Sequence, residues 1–212
     1  MNIGIIGSGN IGGTLGALWA GTGHHVLFGG RDQAKLGTLV SGISGDARFG
    51  TAADAAGFGE VILLAVPYTQ TDAVLAEIGA SLANKIVMDA RNPYSASFSV
   101  IEMSAGVTAA SELVAALPDS ARVVKAFNTQ PTQVLKEQNY LPEEQRIAIV
   151  IAGDSAEAKQ VVAQLVTDAG FAPLDIGDLS AVALQEPGGP LYGVALPLDA
   201  ARRALSSSQE HR

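Results

Sequence analysis

Strand-like apolar runs alternate with stretches of helical periodicity from one end of the chain to the other. The runs are Ile3 to Ile6, His25 to Phe28, Glu60 to Val66 (closed by Pro67), Lys85 to Asp89, Arg122 to Phe127 and Arg146 to Ala152. Runs that do not alternate with polar residues mark strands covered on both faces. Between them, apolar side chains recur on single helical faces. Ile11, Leu15, Leu18 and Trp19 line the first, from Asn10 to about Thr22, and Trp19 is expected in the core. Leu36, Leu39, Val40 and Ile43 line the second, with Asp32 as its N-cap. Val74, Leu75, Ile78 and Leu82 follow within residues 71–82, and further helices are expected over 111–117 and 131–139. Ala158, Val161, Val162, Leu165 and Val166 form a last inner face, opened by Asp154 and Glu157 as a capping box. Shorter elements complete the rhythm: strands at 47–49 and 171–176, brief helices at 51–57 and 178–185. Serine-rich residues 93–106 read as a loop.

Strand alternating with helix predicts an α/β fold, a doubly wound and mostly parallel sheet with helices on both faces. No linker interrupts it. The expected organisation is a nucleotide-binding part over residues 1–145, a small C-terminal α/β extension over 146–205 packed on it, and a polar, disordered tail at 206–212.

The first strand runs into Gly7-Ser8-Gly9-Asn10-Ile11-Gly12, and a helix follows at once. A lone GxGxxG is weak, but this one leaves a strand and opens a helix within one βαβ unit. Gly7 permits the tight turn, Gly9 lets backbone approach a pyrophosphate, and Gly12 lets the helix pack on the sheet. The free N–H groups and positive dipole end of such a helix suit a diphosphate.

The 212 residues are 48% apolar and 16% charged with a net charge of -8, which argues against nucleic acid as a partner. No apolar run reaches the ~18 residues of a membrane span. The chain has no cysteine, which removes thiolate chemistry and is compatible with a cytoplasmic protein. His24 and His25 are adjacent and point to opposite faces of a strand beginning at the surface, so no metal site is expected.

The second strand ends in Gly29-Gly30, followed by Arg31 and Asp32. Two readings compete there. Arg31, with Lys35 one helical turn on, meets the 2′-phosphate of NADP; or Asp32 accepts from the free 2′-hydroxyl of NAD. Glycines stand where a ribose-binding carboxylate belongs, and a guanidinium fork suits phosphate, so the charge pattern favours NADP.

The remaining strand ends are Ala65-Val66-Pro67, Ala90-Arg91-Asn92 and Ala126-Phe127-Asn128. They are apolar and amide-rich, and poor in acid–base groups. Asn92 and Asn128 could hold a nicotinamide carboxamide or an acceptor ring, or serve turns; Asn128 is the stronger candidate for positioning, and no catalytic acid or base is evident. Lys125 reads as a lysine snorkelling to the sheet edge.

At these residues the sequence resembles the NADP-dependent oxidoreductases of the coenzyme F-420 (deazaflavin) type, and is similar to the cytosolic NADPH domain of six-transmembrane ferric reductases. The resemblance rests on Ile3 to Gly12, Gly30-Arg31 with Lys35, Ala65 to Pro67, and Val123 to Thr129, with weaker echoes at Ile149 to Asp154 and Pro187 to Tyr192. It implies a Rossmann domain with a small C-terminal part, and hydride transfer between NADPH and a flat tricyclic acceptor, coenzyme F-420 or a flavin. By resemblance Ser8 to Ile11 hold the pyrophosphate, Arg31 and Lys35 the 2′-phosphate, Val66 and Pro67 flank the cofactor, and Ala126 to Asn128 sit by the nicotinamide. Gly30 departs from relatives that carry serine there. Two other readings stand beside it: an NADP-dependent reductase of a small carbonyl or imine, and a non-catalytic NADP-sensing module. The apolar stretch 191–198 suggests a homodimer surface.

Overall fold

The computed structural model describes residues 1–210. Eight strands form one sheet: β1 (Asn2–Ile6), β2 (His25–Gly29), β3 (Ala47–Gly50), β4 (Val61–Leu64), β5 (Ile86–Asp89), β6 (Arg122–Lys125), β7 (Ala148–Gly153) and β8 (Ala172–Asp175), in the order β3-β2-β1-β4-β5-β6-β7-β8. Strands β1 to β6 are parallel, β7 pairs antiparallel with β6, and β8 returns parallel to β7. The order reverses between β1 and β4, whose carboxyl ends therefore splay a crevice. The doubly wound, Rossmann-type sheet expected from the sequence is present, and the C-terminal strands extend it.

Helices cover both faces: α1 (Asn10–Gly21), α2 (Gln33–Ser41), α3 (Ala52–Phe58), α4 (Thr71–Ile78), α5 (Ala109–Ala116), α6 (Thr132–Glu137), α7 (Ala156–Asp168) and α8 (Leu198–Glu210). Asp32 caps α2, its carboxylate accepting from the Lys35 N–H at 3.0 Å. Trp19 is fully buried, as its helical face implied, and its indole N–H donates to the Leu165 carbonyl at 2.8 Å, joining α1 to α7 across the core.

Four local expectations are corrected. Ser155, not Asp154, caps α7, and the Asp154 carboxylate instead accepts from the Leu179 N–H at 3.0 Å. Asp154 therefore ties a loop to the short 3-10 helix at 179–184 rather than opening a helix. His24 is buried rather than lying on the surface, its Nε2 2.9 Å from the Asp168 carboxylate. Most of the expected tail is helical: α8 runs through Glu210, with the Ser206 and Ser207 hydroxyls donating to the carbonyls one turn back; His211 and Arg212 lie outside the described residues. Finally, Leu191, Leu196 and Leu198 pack with Ala148, Val150, Leu174, Leu184 and Ala201, so the three leucines of the stretch read as a dimer surface are used in the chain's own core, while Gly193, Val194 and Ala195 are exposed.

Trp19→Phe is expected to lower stability by about 2–3 kcal/mol, through lost volume and the lost bond to Leu165. Urea unfolding should show a lower midpoint at unchanged slope.

Candidate functional site

The loop after β1 is shaped by its glycines. Gly7 has φ +105, and a Cβ at Gly12 would collide with the Gly7 carbonyl oxygen, so α1 closes on the strand as tightly as backbone allows. A Cβ at Gly9 would meet nothing within 4 Å. Gly9 is the N-cap of α1, with no side-chain cap and no acidic residue in the first turn. The helix thus presents uncapped N–H groups and its positive dipole end to open space.

Beside it, a cleft of about 320 Å³ is lined by Gly7, Ser8, Gly30, Arg31, Asp32, Lys35, and by Val66 and Pro67 across the crevice. Arg31 and Lys35 are exposed, and neither cation has an ion-pair partner among the described residues. Asp32 uses one carboxylate oxygen to cap α2, which draws it away from the role of ribose acceptor. A Cβ at Gly30 would lie 3.5 Å from Leu36, in ordinary contact, so a side chain is sterically admissible there.

The other strand ends line up by backbone bonds that continue the ladder: Ala65 N–H to Ile6 (2.8 Å), Ala90 N–H to Leu64 (3.1 Å) and Ala126 N–H to Asp89 (3.1 Å). Beyond them the two candidate amides are locked together. Asn92 Nδ2 donates to the Asn128 carbonyl (2.9 Å), and Asn128 Nδ2 donates to Asn92 Oδ1 (3.0 Å) and to the Gln185 carbonyl (2.7 Å). The pair, with Ile11, Ala90 and Phe127, walls a second cleft of about 300 Å³. Phe127 holds φ +61, a strained conformation for a bulky residue, and is fixed there edge-on to Trp19 (5.9 Å) and Phe171 (6.4 Å). That turn aims Asn128 back toward Asn92.

Under the amides lies a buried charge cluster that sequence reasoning missed. Asp89 and Lys125 are 0% exposed; the ammonium sits 3.0 Å from Asp89 Oδ2, donates to the Arg91 carbonyl at 2.6 Å and stands 3.3 Å from Glu186. Arg91 Nε donates to Asp89 at 2.7 Å. Lys125 therefore does not snorkel to an edge: the Asp89 side chain, reached across paired strands, captures it inside. Burial by itself would raise the Asp89 carboxyl, but the Lys125 ammonium and Arg91 guanidinium overcome it and hold it below the ordinary carboxylate range. Arg91 also donates to the Thr71 hydroxyl and lies 5.9 Å over the Tyr68 ring. Burial, then the hydrogen-bonded Glu112 carboxylate, push the Tyr68 phenol up to about 12. A lysine and an aspartate at the ends of neighbouring apolar strands were the available signal.

All the residues expected to touch a cofactor thus lie along one edge of the sheet: Gly7 to Gly12, Arg31 and Lys35, Ala65 to Pro67, then Ala90, Asn92 and Ala126 to Asn128. Among the described residues no group of three or more His, Cys, Asp or Glu is placed to hold a metal, and no helix is long and apolar enough to cross a membrane.

Residues 2–93 match the family model of the NADP oxidoreductases, coenzyme F-420-dependent. The metalloreductase STEAP3 of Rattus norvegicus is 30% identical over 178 residues, covering 84% of this chain but 34% of the rat protein. A hypothetical protein from Sinorhizobium meliloti has a solved structure with TM-score 0.82 and 27% identity, covering 93% of this chain and 95% of that one. A candidate F-420-dependent NADP-reductase from Arthrobacter follows with TM-score 0.72 and 25% identity over 85% and 86% of the two chains. These similarities bear out the resemblance read from the sequence.

Lys125→Met is expected to cost about 3–5 kcal/mol in urea unfolding, because it leaves buried carboxylates short of a partner. The depressed Asp89 carboxyl contributes stability above the unfolded-state value of about 4, lost as pH falls through its folded-state value. The stability gap between wild type and Asp89→Asn should therefore shrink on acidification below about pH 4; a gap that widens there would contradict the ion-pair assignment.

Proposed function

We propose that the chain transfers a hydride between NADP(H) and a flat tricyclic acceptor, coenzyme F-420 or a flavin. The observation that supports this best is the second cleft, walled by apolar side chains and locked amides and poor in acid–base groups. Such a wall orients a planar acceptor by stacking and alignment, which is what hydride transfer between two rings requires.

In this reading the uncapped start of α1, from Gly7 to Gly12, holds the pyrophosphate, and Arg31 and Lys35 hold the 2′-phosphate. The residues fit that group: there is open space at Gly9, two unpaired cations on the rim, and an Asp32 engaged elsewhere. Ala65, Val66 and Pro67 flank the cofactor, while Ala90, Asn92, Ala126, Phe127 and Asn128 border its nicotinamide. When bound, the reduced cofactor supplies the hydride. Asn128, held by Asn92 and Gln185, keeps an amide at fixed orientation beside it; Ile11 and Phe127 exclude water. A small-molecule acceptor is then the only redox partner needed. A reductase of small carbonyls or imines would show turnover with those substrates and none with deazaflavin or flavin, and an NADP-sensing module would bind NADPH and reduce nothing.

Fluorescence titration should show NADPH bound at least tenfold more tightly than NADH. Arg31→Ala should lose that preference by weakening NADPH about tenfold while leaving NADH unchanged, and raised salt should erode it in the same direction. Gly30→Ser, which places a hydroxyl beside the two cations, should tighten NADPH by a few-fold. Equal binding of NADH by the wild type would move the ribose contact to Asp32 and overturn the 2′-phosphate assignment.

A further inference from the structure

The outer wall of the second cleft comes from a segment far along the chain. The Gly193 N–H donates to the Thr129 carbonyl and Gln130 Nε2 to the Val194 carbonyl, each at 2.9 Å, so residues 192–194 are stapled to the loop after β6. Tyr192 is thereby set on the cleft wall beside Ala90, Asn92, Phe127 and Asn128. Its hydroxyl meets that of Tyr94 at 2.9 Å, and both rings are half-buried. Every other lining residue of this cleft is apolar, an amide, a hydroxyl or a glycine; among the described residues Tyr192 alone brings an ionisable side chain to it.

We propose that Tyr192 is the hydrogen-bond donor to the acceptor in this cleft, and that Tyr94 is its positioning residue. This rests on the reductase reading above and narrows it: the ligand is a planar conjugated acceptor carrying a carbonyl oxygen or ring nitrogen conjugated with the ring atom that receives the hydride, a carbon in a deazaflavin and a nitrogen in a flavin. As that atom gains a hydride from the reduced nicotinamide, its π bond breaks and the electron pair moves to the conjugated oxygen or nitrogen. A solvent proton completes the reduced acceptor. The developing negative charge is what a phenolic O–H on the wall stabilises.

A phenol has one proton to give. Either hydroxyl of this pair can be the donor; when Tyr94 donates to the Tyr192 oxygen, the Tyr192 proton is left for the ligand, and its donor strength rises because its own oxygen is accepting. Burial pushes the Tyr192 phenol above its ordinary value. It stays protonated through the neutral range, and acts as a donor and not as a base.

The test uses Tyr192→Phe and Tyr94→Phe with flavin mononucleotide and deazaflavin as probes. Three readouts are taken: NADPH binding, quenching of acceptor fluorescence by protein saturated with NADP+, where no reduction occurs, and turnover. Tyr192→Phe should leave NADPH binding within twofold, weaken acceptor binding about tenfold and lower kcat/KM about 10- to 100-fold. Tyr94→Phe, which removes no contact with the ligand, should lower kcat several-fold and leave the acceptor KM within twofold. Wild-type turnover and acceptor binding in Tyr192→Phe would overturn the assignment alone. Loss of NADPH binding in that variant would overturn it in favour of a structural prop. Wild-type protein that binds NADPH and reduces neither probe would overturn the reductase reading, and the assignment with it.

Discussion

The Asp89 carboxylate, sealed beneath the ends of β5 and β6, is the constraint on which the rest of the site depends. It faces a guanidinium two residues on in its own strand end and an ammonium from the neighbouring strand, with Glu186 closing the group from the C-terminal segment. Charges taken out of water are tolerated only with every partner in place, so such a cluster fixes geometry more than it adds stability. The Lys125 ammonium also holds the Arg91 carbonyl, and the Gln185 carbonyl holds Asn128. Three separate stretches of chain are thereby brought into one register, and the paired amides above them have no freedom to turn.

The nucleotide end works by different physics. The protein as a whole is acidic, at -8, and an anionic ligand gains nothing from its overall field. What favours an anion is local: a helix start with no competing carboxylate, and two cations without partners on the lip of the crevice. Asp32 could oppose this, but the Lys35 N–H takes one of its oxygens, and capping is the stronger local demand.

Much of this was legible in the chain. Buried parallel strands write themselves as unbroken apolar runs, and the glycine loop, the Asp32 cap and the face of α1 depend on neighbours close in sequence. Lys125 was misread because its partner is brought near only by strand pairing; alone, a lysine ending an apolar strand looks like one reaching for water. Asp154 and Glu157 matched a capping pattern, yet Ser155 stood one residue closer and Leu179 offered Asp154 another donor. The helix α8 was missed because alanines and arginines mask its face, which becomes apolar only where Leu198, Ala201 and Leu205 meet β7 and β8. The Tyr94–Tyr192 contact joins residues 98 positions apart, and no local pattern could announce it.

The stapling of residues 192–194 to the loop after β6 also orders events in time. A chain made from its amino end acquires the glycine loop, both cations and the strand ends of the crevice while the segment from Gln185 to Val194 is still to come. The nucleotide half can take shape first, with Asn128 lacking the Gln185 carbonyl and Lys125 lacking Glu186. The outer wall of the second cleft then arrives last and satisfies groups already waiting in the interior. In the proposed reading, a nascent chain would thus complete the nucleotide cleft before the wall assigned to the acceptor exists.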